Sequence, residues 1–284
     1  MRRLLILLLL LGLAPAASAQ QRPLTTEEVE TTRSGDAYLQ FGFDFLQDVR
    51  FPLSGLRGDL TRVGVSDLRI GVGRAAEVQI QWTIHQFLSV SEQTPAVIVP
   101  KLKDGGMSAS DVGDVTVAAK FRFLEETDRR PAIGIRFGFE TPTTNEARGI
   151  GLNTTNIFFT VLAQKHFGKL NVWGHLGVGI LQAPGTTFTQ NDVVLYGLAA
   201  LYPVHQRLNL VGEVAGRWSP REITPSLIGT ESRSQARAGI QLFAGGLRWD
   251  AAAIFGLTKQ DADTGFTIGV SRPLTLWHDY DKPR

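Results

Sequence analysis

Apolar and polar residues alternate one by one along much of the chain, and the stretch 111–140 shows the pattern most clearly. Phe121 and Phe123 fall on one face of an extended segment, whereas Lys120 and Arg122 fall on the other. A second segment repeats the alternation after a short polar turn. A period of two is typical of β-strands that present unlike faces to their surroundings. The stretch therefore predicts a β-hairpin with one apolar and one charged face.

The same pattern recurs in about twelve segments of roughly ten residues each, from residue 35 to the end of the chain. Strands of soluble domains average ~5–6 residues, whereas tilted strands that cross a bilayer need ~9–11. Single-chain bacterial barrels also have an even number of strands. We predict an all-β fold over residues 35–284: a transmembrane, antiparallel, up-and-down β-barrel of about twelve strands.

The connections between these segments alternate between short and long. The short ones are predicted at 73–76, 126–130, 167–169, 203–207 and 243–246, and the long ones at 47–59, 89–110, 141–153, 182–192 and 219–232. Outer-membrane barrels combine short periplasmic turns with longer external loops. A soluble two-sheet sandwich, which is the alternative fold, has no reason to sort its loops in this way.

The first residues carry the three regions of a secretory signal. Two arginines precede an apolar run at 4–13, and small residues before Gln20 fit the cleavage rule. The apolar run is too short to span a bilayer. We predict a signal peptide over 1–19, a short periplasmic tail over 20–34 and a location in the bacterial outer membrane. A segment folded into the mouth of the barrel is the alternative for 20–34.

Composition narrows the chemistry. The chain has 284 residues, no cysteine, and a net charge of +2 from 29 basic and 27 acidic residues. The lack of cysteine excludes disulfides, thiolate metal sites and cysteine nucleophiles. The balanced charge gives no electrostatic case for nucleic acid as a partner. None of the five histidines has a metal-ligand spacing, so we expect no metal and no cofactor.

The polar faces of the predicted strands would line a wet lumen if the apolar faces contact lipid. A barrel of this size is wider than the eight-stranded kind that its own side chains fill, so a solute could pass. The predicted lumen-lining residues, which are candidates for solute selectivity, are Glu77, Gln79, Gln81, His85, Lys120, Arg122, Arg136, Glu140, Glu213, Arg217, Arg237, Arg248 and Asp250.

Three functions remain open at this point. The first is a non-enzymatic channel or transporter that passes or binds a small solute, and this is our prediction. The second is a structural barrel with a plugged lumen. The third is an outer-membrane lipid hydrolase with His85 as its base, since catalytic triads are built in space rather than in sequence. The expected partners are outer-membrane lipid, the solute and the barrel-assembly machinery.

Three short motifs resemble a known family. They are Gly113-Asp114-Val115 followed by Val117, Lys120 and Phe123; Arg62-x-Gly64-Val65 followed by Glu77-Val78-Gln79-Ile80; and Glu140-Thr141-Pro142-Thr143, which lacks the usual following glycine. They are similar to motifs of the outer-membrane proteins named for the MetA pathway of phenol degradation. The resemblance implies a barrel of transporter or channel type without a cofactor, and it makes hydrophobic or aromatic solutes candidates.

Overall fold

The computed structural model describes residues 22–184 and 189–277. The predicted signal peptide and the residues after 277 lie outside the described part. Thirteen β-segments are present in that part: β1 (Asp36–Phe51), β2 (Leu56–Gly71), β3 (Ala76–Gln93), β4 (Ser108–Asp111), β5 (Val115–Leu124), β6 (Ala132–Thr141), β7 (Asn156–Phe167), β8 (Leu170–Ala183), β9 (Thr189–His205), β10 (Leu208–Trp218), β11 (Arg233–Ala244), β12 (Leu247–Gly256) and β13 (Thr264–Thr275). Three short 3-10 helices lie at Asp104–Gly106, Glu146–Arg148 and Pro225–Leu227.

The sheet closes into a barrel because β1 pairs antiparallel with β13. The short β4 pairs with one half of β3 and β5 with the other half, so β4 and β5 together form one wall strand that is interrupted at 112–114. The result is a closed barrel of twelve antiparallel strands. It confirms the predicted fold and excludes the two-sheet sandwich.

The two ends of the barrel differ in their connections. The turn end carries the connections 72–75, 125–131, 168–169, 206–207 and 245–246, and the loop end carries 52–55, 94–107, 142–155, 184–188, 219–232 and 257–263. The predictions of long connections at 47–59 and 182–192 are wrong, because the flanking strands continue and leave only 52–55 and 184–188.

The extra length of β1 and β2 has a physical cause. Asp48, Arg50 and Arg57 give the stretch the polar composition of a loop, yet they form ion pairs with one another across the strand ends. Inward-facing Leu46 and Leu60 pack into an apolar cluster at the same level, and this burial supports continued strand pairing.

The two faces of the wall differ as the alternation predicts. Phe121, Phe123 and Phe137 are exposed on the outside, whereas Lys120 is fully buried inside and pairs across the strands with Arg136. Most other large exposed apolar side chains also lie at outward strand positions. The barrel therefore has an apolar outer surface and a charged interior. Among the described residues, no helix has the length and apolar character needed to cross a membrane.

Candidate functional site

The residues before β1 run through the interior of the barrel. We call 22–34 the interior segment. Leu24, Thr26 and Val29 are almost completely buried there, and the segment contacts walls on several sides of the lumen. These contacts show that the prediction of a periplasmic tail over 20–34 is wrong for residues 22–34, the part of that range that the structure describes. The barrel interior, with this segment inside it, is the candidate functional site.

Arg22 occupies a notch in the inner wall. Gly42 of β1 and Gly269 of β13 are directly paired, and neither has a side chain to fill the space. The Arg22 guanidinium lies there, donates to Thr267 Oγ1 at 2.7 Å and forms an ion pair with Asp250 at 3.4 Å. A Cβ built on Gly269 would approach Nε of Arg22 to 2.7 Å, and one on Gly42 would overlap its guanidinium. The glycine pair therefore receives the arginine.

Replacing Gly42 by alanine is expected to expel Arg22 from the notch, because the new methyl group needs the same space. Loss of the Arg22 hydrogen bonds should weaken local docking of the segment by about 1–3 kcal/mol. Hydrogen–deuterium exchange of the amides near residue 24 would report this as faster exchange. Gly212→Ala is the matched control, since a Cβ there meets its nearest neighbour at an ordinary 3.5 Å. Equal exchange in both variants would contradict the assignment.

Glu213 of β10 provides the second attachment. Its carboxylate accepts hydrogen bonds from both the backbone N–H and the hydroxyl of Thr25 and of Thr26, at 2.7–2.9 Å. Nε of Arg237 lies 3.6 Å from the same carboxylate. Two consecutive residues of the interior segment are thus held by one buried acid on the wall.

Apolar contacts add to this attachment. Leu24 packs in a cluster with Trp173, Ala199 and Val211, and Trp173 Nε1 donates to the carbonyl of Thr26 at 2.9 Å. Farther along the segment, Val29 packs against Leu162 and Ala132 in a second cluster. The wall positions involved point inward, so they are apolar patches on an otherwise charged inner surface. They explain why the segment lies in fixed register along the lumen.

A buried charge network surrounds the middle of the segment. Its members are the basic residues Arg69, Lys120 and Arg136 and the acidic residues Glu27, Glu77 and Asp67. Lys120 Nζ lies 2.9 Å from Glu77 and 3.8 Å from Glu27. Glu77 in turn accepts the Thr32 N–H at 2.7 Å. The network has as many acidic as basic members, and Glu27 of the segment is needed for that balance.

Glu28 is the next residue of the interior segment and is also buried. Burial raises the pKa of its carboxyl to about 7, and the positive charges of Lys120 and Arg69 oppose this change without cancelling it. Below that pH the carboxyl is mostly protonated, so the segment adds less negative charge to the network.

A cavity of about 630 Å³ remains inside the barrel on the loop side of the interior segment. Pro23, Leu24 and Thr25 form part of its lining, and wall residues such as Arg62 and Arg217 form the rest. Both signs of charge are present in the lining together with apolar groups. The barrel therefore holds an open space that is large enough for a small organic solute and is bounded on one side by the interior segment.

The structure places twelve of the predicted lumen-lining residues inside. They are Glu77, Gln79, Gln81, Lys120, Arg122, Arg136, Glu140, Glu213, Arg217, Arg237, Arg248 and Asp250. Only Gln81, Arg136, Arg217 and Arg237 among them line the cavity. The others bind the interior segment, one another or, for Glu140, the wall residue Asn156, and these contacts keep most of them away from a passing solute.

His85 is the exception, and its predicted position in the lumen is wrong. It pairs across the strands with the exposed Val63, and its ring lies on Phe87 with centroids 4.5 Å apart on the outer face. The inward positions of β3 shift near Thr83, where Gly64 has a positive φ and Gly113 donates to the Thr83 carbonyl. Beyond this irregularity, even-numbered residues face inward, so His85 has no position from which to serve a catalytic site in the lumen.

Several residues of the site were not among the predicted ones. Among them are Arg62 and Arg233, which line the cavity. The interior segment is the largest difference, because a position inside the barrel mouth was only the alternative to a tail for 20–34. Its signal in the sequence is weak: three glutamates within four residues, next to a predicted inner face on which basic side chains outnumber acidic ones. The described residues contain no group of three or more His, Asp or Glu that could hold a metal.

Comparisons by sequence find no match: no family model matches the chain, and no curated protein matches it. Comparison of the structure does find similar proteins. The chain is similar to an outer membrane channel from Pseudomonas putida F1, with a TM-score of 0.64 and 14% identity over 93% of this chain and 100% of that one. It is also similar to the translocator domain of the autotransporter NalP from Neisseria meningitidis, with a TM-score of 0.51 and 13% identity over 86% and 90%. At these identities the likeness shows the fold, an outer-membrane type of barrel.

Proposed function

We propose that this protein is a non-enzymatic channel of the bacterial outer membrane that passes or binds a small solute, with the interior segment narrowing its lumen. The observation that carries the proposal is the cavity of about 630 Å³ inside the closed barrel. An eight-stranded barrel would be filled by its own side chains, whereas twelve strands leave room for this space. The apolar outer surface is suited to contact with lipid hydrocarbon, and the charged interior is suited to water.

The family named for the MetA pathway of phenol degradation is part of the proposal. The barrel fold agrees with it, and the Lys120 of its motif lies at the centre of the charge network. Membership would make hydrophobic or aromatic compounds the first solutes to test. The cavity lining suits such compounds in one respect, since Leu24, Phe158 and Leu195 add apolar surface to it.

A plugged structural barrel is the second candidate, and the interior segment favours it. Arg22, Glu27 and Glu30 each form an ion pair with the wall, so the segment is attached along its length. An apolar cluster around Leu60 and Leu88 also occupies part of the lumen at the loop end. These features narrow the lumen, and they predict a conductance smaller than that of a wide general porin.

The test is planar-bilayer recording of the refolded protein, together with swelling of liposomes that contain it. We expect discrete single-channel steps of low conductance in potassium chloride and slow swelling with small solutes. Heat-denatured protein at the same concentration provides the control for detergent and lipid leakage. A folded protein that gives neither steps nor swelling would refute the channel and leave the plugged barrel.

A further inference from the structure

Three arginines that line the cavity form no ion pair with an acid of the described residues. Arg62, Arg217 and Arg233 have no carboxylate oxygen within 4.0 Å among the described residues. Arg217 donates to the carbonyls of Glu231 and Gly229, at 2.9 and 3.1 Å, and Arg233 donates to the carbonyl of Arg50 at 3.3 Å. The side chain of Arg62 has no hydrogen-bond partner in the described part of the chain, whereas its backbone is paired in the sheet. All three are half-buried rather than freely solvated.

The arrangement brings like charges together. Arg217 and Arg233 are direct cross-strand neighbours on β10 and β11, a placement that is destabilising for two cations. Arg62, from β2, pairs across the strands with Asp44, and it is close enough to experience the charge of that acid as well as the positive charges of Arg237 and Arg233. Half-buried charges of one sign are costly unless something compensates them. The wall therefore brings together three arginines, none of which forms an ion pair within 4.0 Å among the described residues.

The acids that line the cavity compensate this charge only in part, because each also binds other groups. Glu27 and Asp67 form ion pairs with Arg69, and Asp44 forms one with Arg22. Asp114 accepts hydrogen bonds from the N–H groups of Thr143 and Thr144. Asp261 accepts hydrogen bonds from Ser234 and Thr258. Glu231, Glu140 and Asp261 influence Arg217 from beyond ion-pair distance. Glu140 accepts from Asn156, and Glu231 accepts from the N–H of Gly229. Among the described lining residues, Arg62, Arg217 and Arg233 stand against two acids without an ion pair, Asp114 and Asp261, so positive charge is in excess.

We propose that Arg62, Arg217 and Arg233 form a binding site for a small organic carboxylate within the cavity. The planar guanidinium matches a carboxylate through paired, charge-assisted hydrogen bonds, and three such groups give the described part of the cavity an excess of positive charge. Leu24, Phe158 and Leu195 border the same space, which suits an anion with an apolar body. This inference rests on the proposed channel, since it names the class of solute that the channel would take.

Titration calorimetry of the detergent-solubilised full chain tests the site without requiring transport. The probe is sodium benzoate, and benzamide is its neutral counterpart of the same shape. We expect benzoate to bind and benzamide not to bind. Arg62→Gln breaks no hydrogen bond of the described structure, so it should leave folding intact while weakening benzoate binding roughly tenfold. Arg233→Gln should have a similar effect, and the double variant a larger one.

Arg207→Gln is the matched control, because Arg207 is exposed in the turn between β9 and β10 at the opposite end of the barrel. It should bind benzoate like the unchanged protein. Equal binding of benzoate and benzamide, or benzoate binding that all variants retain, would overturn the site. So would binding of inorganic phosphate in the absence of any benzoate binding, because the carboxylate class would then be wrong.

Reversal potentials in a potassium chloride gradient separate this inference from the proposed function. If the channel conducts, we expect anion preference that declines in Arg62→Gln and Arg233→Gln but not in Arg207→Gln. A conducting channel whose selectivity and benzoate binding ignore these variants overturns the carboxylate site and leaves the channel. Arginine-dependent benzoate binding without any conductance supports the site and refutes passage.

Discussion

Replacing Glu213 by alanine is expected to raise the single-channel conductance several-fold, because it removes the acceptor that holds Thr25 and Thr26. Four donors of the interior segment lose their partner at once, and Arg237 loses its nearest carboxylate. A buried donor left without a partner costs about 1–3 kcal/mol. The combined cost of several such donors is larger than the free energy that one new local contact could restore. The start of the segment should therefore leave the wall and widen the space beside it.

The conductance of Glu213→Ala should be measured beside that of Glu222→Ala. Glu222 is an exposed acid of the loop 219–232, so this control removes the same charge without touching the segment. Limited proteolysis adds a second measurement, because a segment released from the wall should be cleaved within 22–34. Unchanged conductance together with faster cleavage would show that the segment does not limit passage. Unchanged values in both measurements would show that Glu213 does not hold it.

The barrel could be predicted from the sequence because its cause is local. Each strand needs an apolar outer face and a polar inner face, and this requirement appears directly as alternation along the chain. Lys120 and Arg136 were placed correctly for that reason, as were Phe121 and Phe137. Prediction from alternation has a limit, because one irregularity in a strand reverses the facing of every later side chain in that strand. Gly64, next to the paired residues Val65 and Thr83, and Gly113, which donates to the Thr83 carbonyl, create such an irregularity, and His85 was misplaced in consequence.

The interior segment could not be predicted in the same way because its cause is not local. It has no period, and what holds it are single side chains far away in the chain, such as Glu213 for Thr26 and Gln164 for Val29. The notch for Arg22 depends on two glycines that become neighbours only when β1 pairs with β13. Closure of the barrel creates these sites, so pattern analysis of separate strands does not show them.

Replacing Lys120 by methionine is expected to lower the free energy of unfolding by about 3–5 kcal/mol, since it leaves a buried carboxylate without its partner. Lys120 is fully buried, and its closest contact is the equally buried Glu77 at 2.9 Å. Methionine keeps much of the volume, so the effect should come from charge rather than from a cavity. Urea-dependent unfolding in lipid vesicles would measure it. Lys169→Met, in the exposed turn between β7 and β8, should change the stability little.

A second substitution distinguishes charge balance from mere loss of contacts. If Glu77→Gln is added to Lys120→Met, one acid and one base are removed, and the remaining network is again balanced. Buried ion pairs are costly to break but often nearly neutral to replace as a pair. The double variant should therefore be more stable than Lys120→Met alone, although Glu77→Gln still weakens the hydrogen bond from Thr32. A double variant less stable than either single one would instead show that both side chains stabilise the barrel through independent contacts, and that charge balance is not what keeps Lys120 in the wall.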